Sequence, residues 1–341
     1  MSQKAFKSLY FFVNFPVFLG FFLYSFYAAI ILGDFFMQKT ISHLMKPELK
    51  EIMKVQSAAL KAIDTFMYSR KILRLMPVML SPITDPLSHS VYDASIDYCG
   101  QKLQLTKSMI LHKQLALMSG SLPGVYIFSP NVRLEFEECA GSGRHLIEFS
   151  QVDIELSGIS YRKFMDFIEK LFAYTFSFVK QECSEELSEL KRRIDIPKKP
   201  FKVFDSSELK EKHGKDFEKI ISKKEKFPFW IMDHYREFYD KEDSKTKKHI
   251  NYDLVYPEGF GEALSGGERE FEYSVIKRKM LERKTDLSPF MPYLETAKRG
   301  LLKPSAGGGF GVERLVRFLT GKEHIKDVTF FPRVPGEKIV F

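Results

Sequence analysis

The chain has 341 residues, 44% of them hydrophobic, 28% charged and 14% aromatic, a globular composition that excludes a disordered or fibrous chain. Its 52 Lys+Arg against 44 Asp+Glu leave a formal charge of +8, enough to suit phosphate ligands and too little to establish nucleic-acid binding. Three separated cysteines, Cys99, Cys139 and Cys183, form no CxxC pair, which argues against a disulfide framework or structural zinc and fits a reducing, cytoplasmic setting.

From Tyr10 to Gly33 the sequence carries no charge, and Lys4 and Lys7 precede it. That length and apolarity describe a membrane-spanning candidate with a basic lead-in, although Asn14 and Pro16 weaken its first turn and no small-residue cleavage site follows. Residues 1–36 are therefore a membrane anchor or hydrophobic appendage, or lie ahead of a true start such as Met37. Residues 37–341 are read as one catalytic domain.

Within it, apolar residues at helical spacing predict a helix over 48–70, followed by a short strand, 76–82, that stops at Pro82. A strand over 102–106 and a helix over 108–118 come next. The runs 124–136 and 144–156 are rich in β-formers and joined by a polar turn, so they read as an antiparallel pair. A helix over 161–183 places Phe164, Phe167, Phe172 and Phe176 along it. The Lys/Glu-rich stretch 184–226 reads as a solvated helical insertion. Strands return at 227–233, 251–257 and 260–267, a helix at 273–284, and a glycine-rich strand then enters a helix at VERLVRFLTG. Strands of one antiparallel sheet separated by helices indicate an α+β fold. No P-loop, HExxH, GxSxG or dinucleotide-binding glycine motif is present, so phosphate would have to be handled by arginines and metal.

Three charged clusters carry the chemistry. Arg133 and Glu135 share one face of a strand, with Arg144, His145, Glu148 and Phe149 on the facing run; such charges need each other or a ligand, and a structural ion-pair ladder is the plain alternative. Glycines 307–309 and Gly311 precede Arg314 at a helix start, which permits close backbone approach beside a planar cation, or serves simply as a packing turn. Glu262 and Ser265 lie beside glycines in EALSGGER, where, with Asp253, they would share a hard cation or form a capped bulge.

In their order and context these clusters resemble the class II aminoacyl-tRNA synthetase core. The helix and strand ending at Pro82 look like its dimer-forming first motif, PNVRLE…GRHLIEF like its second and GGGFGVERL like its third. YDL followed by E-x-x-SGG-x-R is similar to the aspartyl/asparaginyl subclass, without the anticodon-binding barrel expected upstream. SPITDPLSHS, LTKSMILHKQLA, REFYDKE and LKPSAGGGFGVERLVRF resemble, more narrowly, archaeal asparagine synthetases related to asparaginyl-tRNA synthetase.

The resemblance implies ATP and Mg²⁺ as cofactors, with catalytic roles for Arg133, Arg314 and Glu262. Arg133 would hold the α-phosphate and Glu135 the adenine amino group. Phe149 and Arg314 would sandwich the adenine, and Arg144, His145, Gly309 and Gly311 would complete the nucleotide site. Asp253, Glu262 and Ser265 would hold the metal. Lys113 and Arg269, with Ser108 and Glu268, would choose aspartate; a surface lysine is the plain reading of Lys113. Glu268 and Asp85 are candidates for the base or binding group for ammonia, Asp85 otherwise being a turn residue. The favoured reading is an AMP-forming aspartate–ammonia ligase that acts without tRNA as a homodimer. A reduced aspartyl- or asparaginyl-tRNA synthetase and a non-catalytic ATP-binding paralogue are the alternatives.

Overall fold

A computed structural model describes residue 33, residues 35–234 and residues 236–341. The described residues fall into two compact units, one holding residues 35–47 with 337–341 and the other residues 48–336. In the first unit a helix runs over 35–44, Lys39 pairs with Glu337 at 3.3 Å, and Lys338 lies 5.3 Å from the centre of the Phe36 ring. The apolar run at 10–33 falls outside the described residues except for Gly33. No helix among the described residues is long and apolar enough to cross a membrane.

The second unit is built on eight strands: β1 (Leu73–Arg74), β5 (Gly124–Val132), β6 (Glu148–Ser157), β7 (Val203–Asp205), β8 (Phe229–Met232), β9 (Asn251–Tyr256), β10 (Gly261–Glu268) and β11 (Ser305–Gly311). Their spatial order is β1-β5-β6-β11-β10-β9-β8-β7. The interior pairs are antiparallel, as the polar turn between the runs 124–136 and 144–156 predicts for β5 and β6, but both edge pairs, β1/β5 and β7/β8, are parallel. Parallel neighbours need a long crossover. Residues 75–123 supply one, through the small sheet β2 (Leu80–Ser81), β4 (Gln101–Leu105) and β3 (Ser95–Tyr98) and then helix α2 (Ile110–Ala116). The expected strand over 76–82 thus shrinks to Leu80–Ser81 and pairs with β4 rather than with the main sheet.

Helix α1 (Glu48–Ser69) turns Leu49, Ile52, Val55, Ala59, Ile63 and Phe66 onto one stripe, and α3 (Tyr161–Glu182) does the same with Phe164, Ile168, Phe172, Phe176 and Val179. These helices and α7 (Val312–Thr320) bury Val152, Ile154, Leu156, Leu264, Ala306 and Phe310, the residues of one face of β6, β10 and β11. The period of two leaves Phe149, Gln151, Asp153 and Glu155 on the opposite face.

The Lys/Glu-rich stretch is not a solvated helical insertion. It holds the short helix α4 (Ser184–Glu189), then edge strand β7, then α5 (Ser206–His213) and α6 (Phe217–Lys224), which cross back to β8. Leu187, Ile194, Phe201, Leu209, Phe217 and Ile221 are buried. Their spacing is diluted by lysines, so the apolar signal is hidden in the sequence although it closes the sheet edge.

Candidate active site

The open face of the sheet forms the floor of a cavity of about 350 Å³, with α2 and residues 85–89 and 236–240 among its walls. The strand register explains the glycines. Gln151, Asp153 and Glu155 stand opposite Gly311, Gly309 and Gly307. A Cβ at Gly307 would lie 1.9 Å from Glu155 Oε2, and one at Gly309 would lie 2.1 Å from Gln151 Nε2. The polar side chains of β6 therefore lie flat across β11, and only glycine leaves them room.

Arg133, Glu135, Arg144, His145, Phe149, Glu262, Gly309, Gly311 and Arg314, drawn from four separate stretches of sequence, all line this cavity. The details depart from the expected arrangement. β5 ends at Val132 and β6 begins at Glu148, so Arg133, Glu135, Arg144 and His145 sit in irregular backbone beyond the paired strands. The Arg133 amide still donates to Ile147 O at 2.8 Å, which holds the two rims together. Arg133 donates from Nε to Lys107 O at 3.0 Å and lies 5.1 Å from the centre of the Phe149 ring. Arg133 is thus the cation over Phe149, whereas Arg314 pairs with Glu262 at 3.2 Å. Glu135 is held by His89 Nε2 at 3.0 and 3.1 Å, and His89 together with nearby cations keeps its carboxyl below the usual range against the opposing effect of burial.

His145 is pushed down to about 4 by burial and by Arg314 and Arg144, so this ring is neutral at pH 7. Burial alone would raise Glu262, but Arg314, Arg236, Arg144 and Arg133 hold it at about 2. The outer end of the cavity therefore gathers guanidinium groups around Glu262, an arrangement suited to a polyanion.

The expected metal cradle is occupied by a cation of the protein itself. Arg236 donates to both Ser265 and Asp253, and His234 lies 3.2 Å from Asp253. Glu262 is taken by Arg314. Among the described residues no group of three or more His, Cys, Asp or Glu is placed to hold a metal ion. The donor set Asp253, Glu262 and Ser265 does not fit a protein-held Mg²⁺ in this arrangement, because guanidinium groups already supply the positive charge there.

At the other end, Ser108, Lys113, Asp153, Arg269, Asp85, Glu237 and Asp240 line the same cavity. Lys113 is 1% exposed, which removes the surface-lysine reading, yet it is not an open cation. It donates to Asp153 Oδ1 at 3.0 Å, Ile154 O at 3.1 Å and Gly308 O at 3.2 Å, with Glu155 at 3.5 Å. Arg269 is clamped between Glu155 at 3.2 Å and Asp240 at 3.1 Å. The expected pair of carboxylate-seeking cations is thus balanced by acids. Ser108 accepts from the Ile110 amide at 3.2 Å at the start of α2. Asp85 accepts from Leu87 N and from the Tyr239 hydroxyl, each at 3.1 Å, so its turn role and its place in the cavity coexist.

Glu268 does not join them. Its carboxylate binds Lys241 at 2.7 Å and the Tyr161 amide at 3.1 Å, and it lies outside the cavity lining. The backbone alternation of β10 turns it toward the start of α3.

Sequence reasoning passed over Arg236, Glu237, Asp240, His89 and Glu218. The first three sit in REFYDKE, a run that carries part of the family resemblance but to whose charges the resemblance gives no role. Glu218 comes from α6 and pairs with Arg144 at 3.2 Å, and no local signal marks it.

The sequence matches the family model described as tRNA synthetases class II (D, K and N) over residues 34–335. The chain belongs to this family. Its relatives include the asparagine–tRNA ligase of Thermosynechococcus vestitus, 28% identical over 349 residues that cover 87% of this chain and 74% of that protein. The aspartate–tRNA(Asp/Asn) ligase of Methanopyrus kandleri is 32% identical over 313 residues, 85% of this chain and 69% of that one. The asparaginyl-tRNA synthetase from Pyrococcus horikoshii, solved with asparaginyl-adenylate, shares the fold with a TM-score of 0.79 at 24% identity, over 88% of this chain and 72% of that one. The narrower likeness to archaeal asparagine synthetases finds no support in these relatives, which are named as tRNA ligases. In this family's terms, the three clusters read from the sequence meet in one place on the class II core.

Proposed function

We propose that this chain is an ATP-dependent ligase that activates aspartate or asparagine as an aminoacyl-adenylate and passes the acyl group to tRNA. The observation that carries this reading is the convergence of Arg133, Glu135, Arg144, His145, Phe149 and Arg314 on one cavity of a class II fold. Arg133 and Phe149 would hold adenine and α-phosphate, with Glu135 reading the amino group once His89 releases it. Arg144, Arg314 and Arg236 would meet the phosphates that leave as pyrophosphate, stabilising charge as it develops. Neutral His145 donates or accepts there without adding charge. The acids around Lys113 and Arg269 would fix those cations in position.

A homodimer belongs to the same proposal. Tyr68, Leu73, Met76, Met79 and Leu80, around the end of α1 and the stretch leading to β2, are exposed apolar side chains along the segment that resembles the first motif.

A second reading, an aspartate–ammonia ligase releasing AMP, is favoured by one observation: the amino-acid end of the cavity gathers Asp85, Glu237 and Asp240, which suits an ammonium partner. Purified protein assayed for amino-acid-dependent ATP–pyrophosphate exchange, then for AMP release with tRNA or with ammonium, separates these. Exchange with aspartate or asparagine followed by tRNA charging supports the first reading. AMP and asparagine formed from aspartate and ammonium without tRNA would replace it by the second, and no exchange with either amino acid would overturn both.

A further inference from the structure

The acids at the amino-acid end outnumber what their partners need. Lys113 serves Asp153 and Glu155, Arg269 serves Glu155 and Asp240, and Arg236 serves Asp253 and Ser265. Lys279 spends its ammonium on the Asp240 carbonyl. Glu237 remains. It lines the cavity, its side chain is only 8% exposed, and its Oε1 has no hydrogen-bond partner. Its other oxygen lies 3.6 Å from Arg283, beyond hydrogen-bond reach. Burial and the neighbouring Asp85 and Asp240 push its carboxyl up to about 7. Tyr239 ties the cluster together: its hydroxyl donates to Asp85, and its ring lies 5.7 Å below the Arg269 guanidinium.

An orphaned buried acceptor beside two further carboxylates is costly, and a compact donor-rich cation relieves that cost. A tetrahedral N–H donor set can bridge several carboxylates at once. We propose that Glu237, Asp240 and Asp85 form a subsite for an ammonium group, either the α-ammonium of the amino-acid substrate or a free ammonium ion. This deepens the adenylation reading above and rests on it.

The full chain and its Glu237→Gln and Asp85→Asn variants are titrated calorimetrically. The ligands are aspartate, asparagine, succinate (aspartate without its amino group) and ammonium chloride against sodium chloride at equal ionic strength. Asp85→Asn keeps the oxygen that accepts from Leu87 and Tyr239, and Glu237→Gln relieves acid crowding, so neither change threatens the fold; unaltered melting checks this. With an α-ammonium ligand, both variants weaken aspartate and asparagine about tenfold or more and leave succinate unmoved. With a free ion, they weaken ammonium chloride by a similar factor and leave aspartate unmoved. If no Kd changes by more than about twofold in either variant, the subsite is overturned. Pyrophosphate exchange by the parent is measured separately: its absence overturns the adenylation reading whatever the titrations give.

Discussion

Arg236 offers the sharpest test of how the site is held together. Its side chain is 20% exposed and it donates to Asp253 and Ser265, while Asp253 is 6% exposed and has one oxygen without a hydrogen-bond partner. Arg236→Met keeps most of the length and removes the charge. Asp253 is then a buried carboxylate left with His234 at 3.2 Å as its remaining ion-pair partner, and losing one partner of a buried pair costs about 3–5 kcal/mol. The partial exposure of Arg236 places the expected loss near the lower end, about 3 kcal/mol. At about 2.1 cal/mol/K per residue over 341 residues, roughly 0.7 kcal/mol/K, thermal melting should fall by about 4 °C. The decisive arm is the double variant Arg236→Met/Asp253→Asn. With the carboxylate also neutral, stability should recover by at least about 1 kcal/mol relative to the sum of the single losses. Strict additivity, or a single variant within about 1 kcal/mol of the parent, would mean that the guanidinium is not what balances Asp253, and the account of the metal cradle given above would be wrong.

Gly307→Ala should destabilise by about 3 kcal/mol in urea unfolding, since its Cβ would meet Glu155 Oε2 at 1.9 Å and the Ile154 carbonyl at 2.5 Å, and backbone cannot yield as a side chain can. His89→Ala should tighten binding of a non-hydrolysable ATP analogue about two- to tenfold by freeing Glu135; unchanged or weaker binding in fluorescence titration would show that His89 does not compete with the nucleotide. His145 has a folded value near 4, below the ordinary value for an exposed imidazole, so the unfolded chain binds the extra proton first as pH falls. Its contribution to stability is therefore intact above about pH 6.5, is lost progressively as pH falls toward about 4 and is flat below that. The slope of melting temperature between these limits should diminish in His145→Asn.

The sequence alone determined the class of this protein. Helix stripes in 48–70 and 161–183, the β-rich pair that became β5 and β6, and a glycine run entering an Arg-bearing helix are local patterns, set by periods of 3.6 and 2 and by glycine's lack of a side chain. Motif order then singled out Arg133, Glu135, Phe149, Glu262 and Arg314, which line one cavity. What only the tertiary structure decided is which charge answers which. Lys113 and Arg269 look like open cations until β6 lays Asp153 and Glu155 beneath them. Asp253, Glu262 and Ser265 look like a metal site until the segment anchored by Phe238 and Tyr239 delivers Arg236 into it. Glu268 differs from Arg269 by one position, yet strand alternation sends it to the other face. Electrostatic pairing depends on distances of a few ångströms between segments far apart in the chain, and linear spacing carries no record of them.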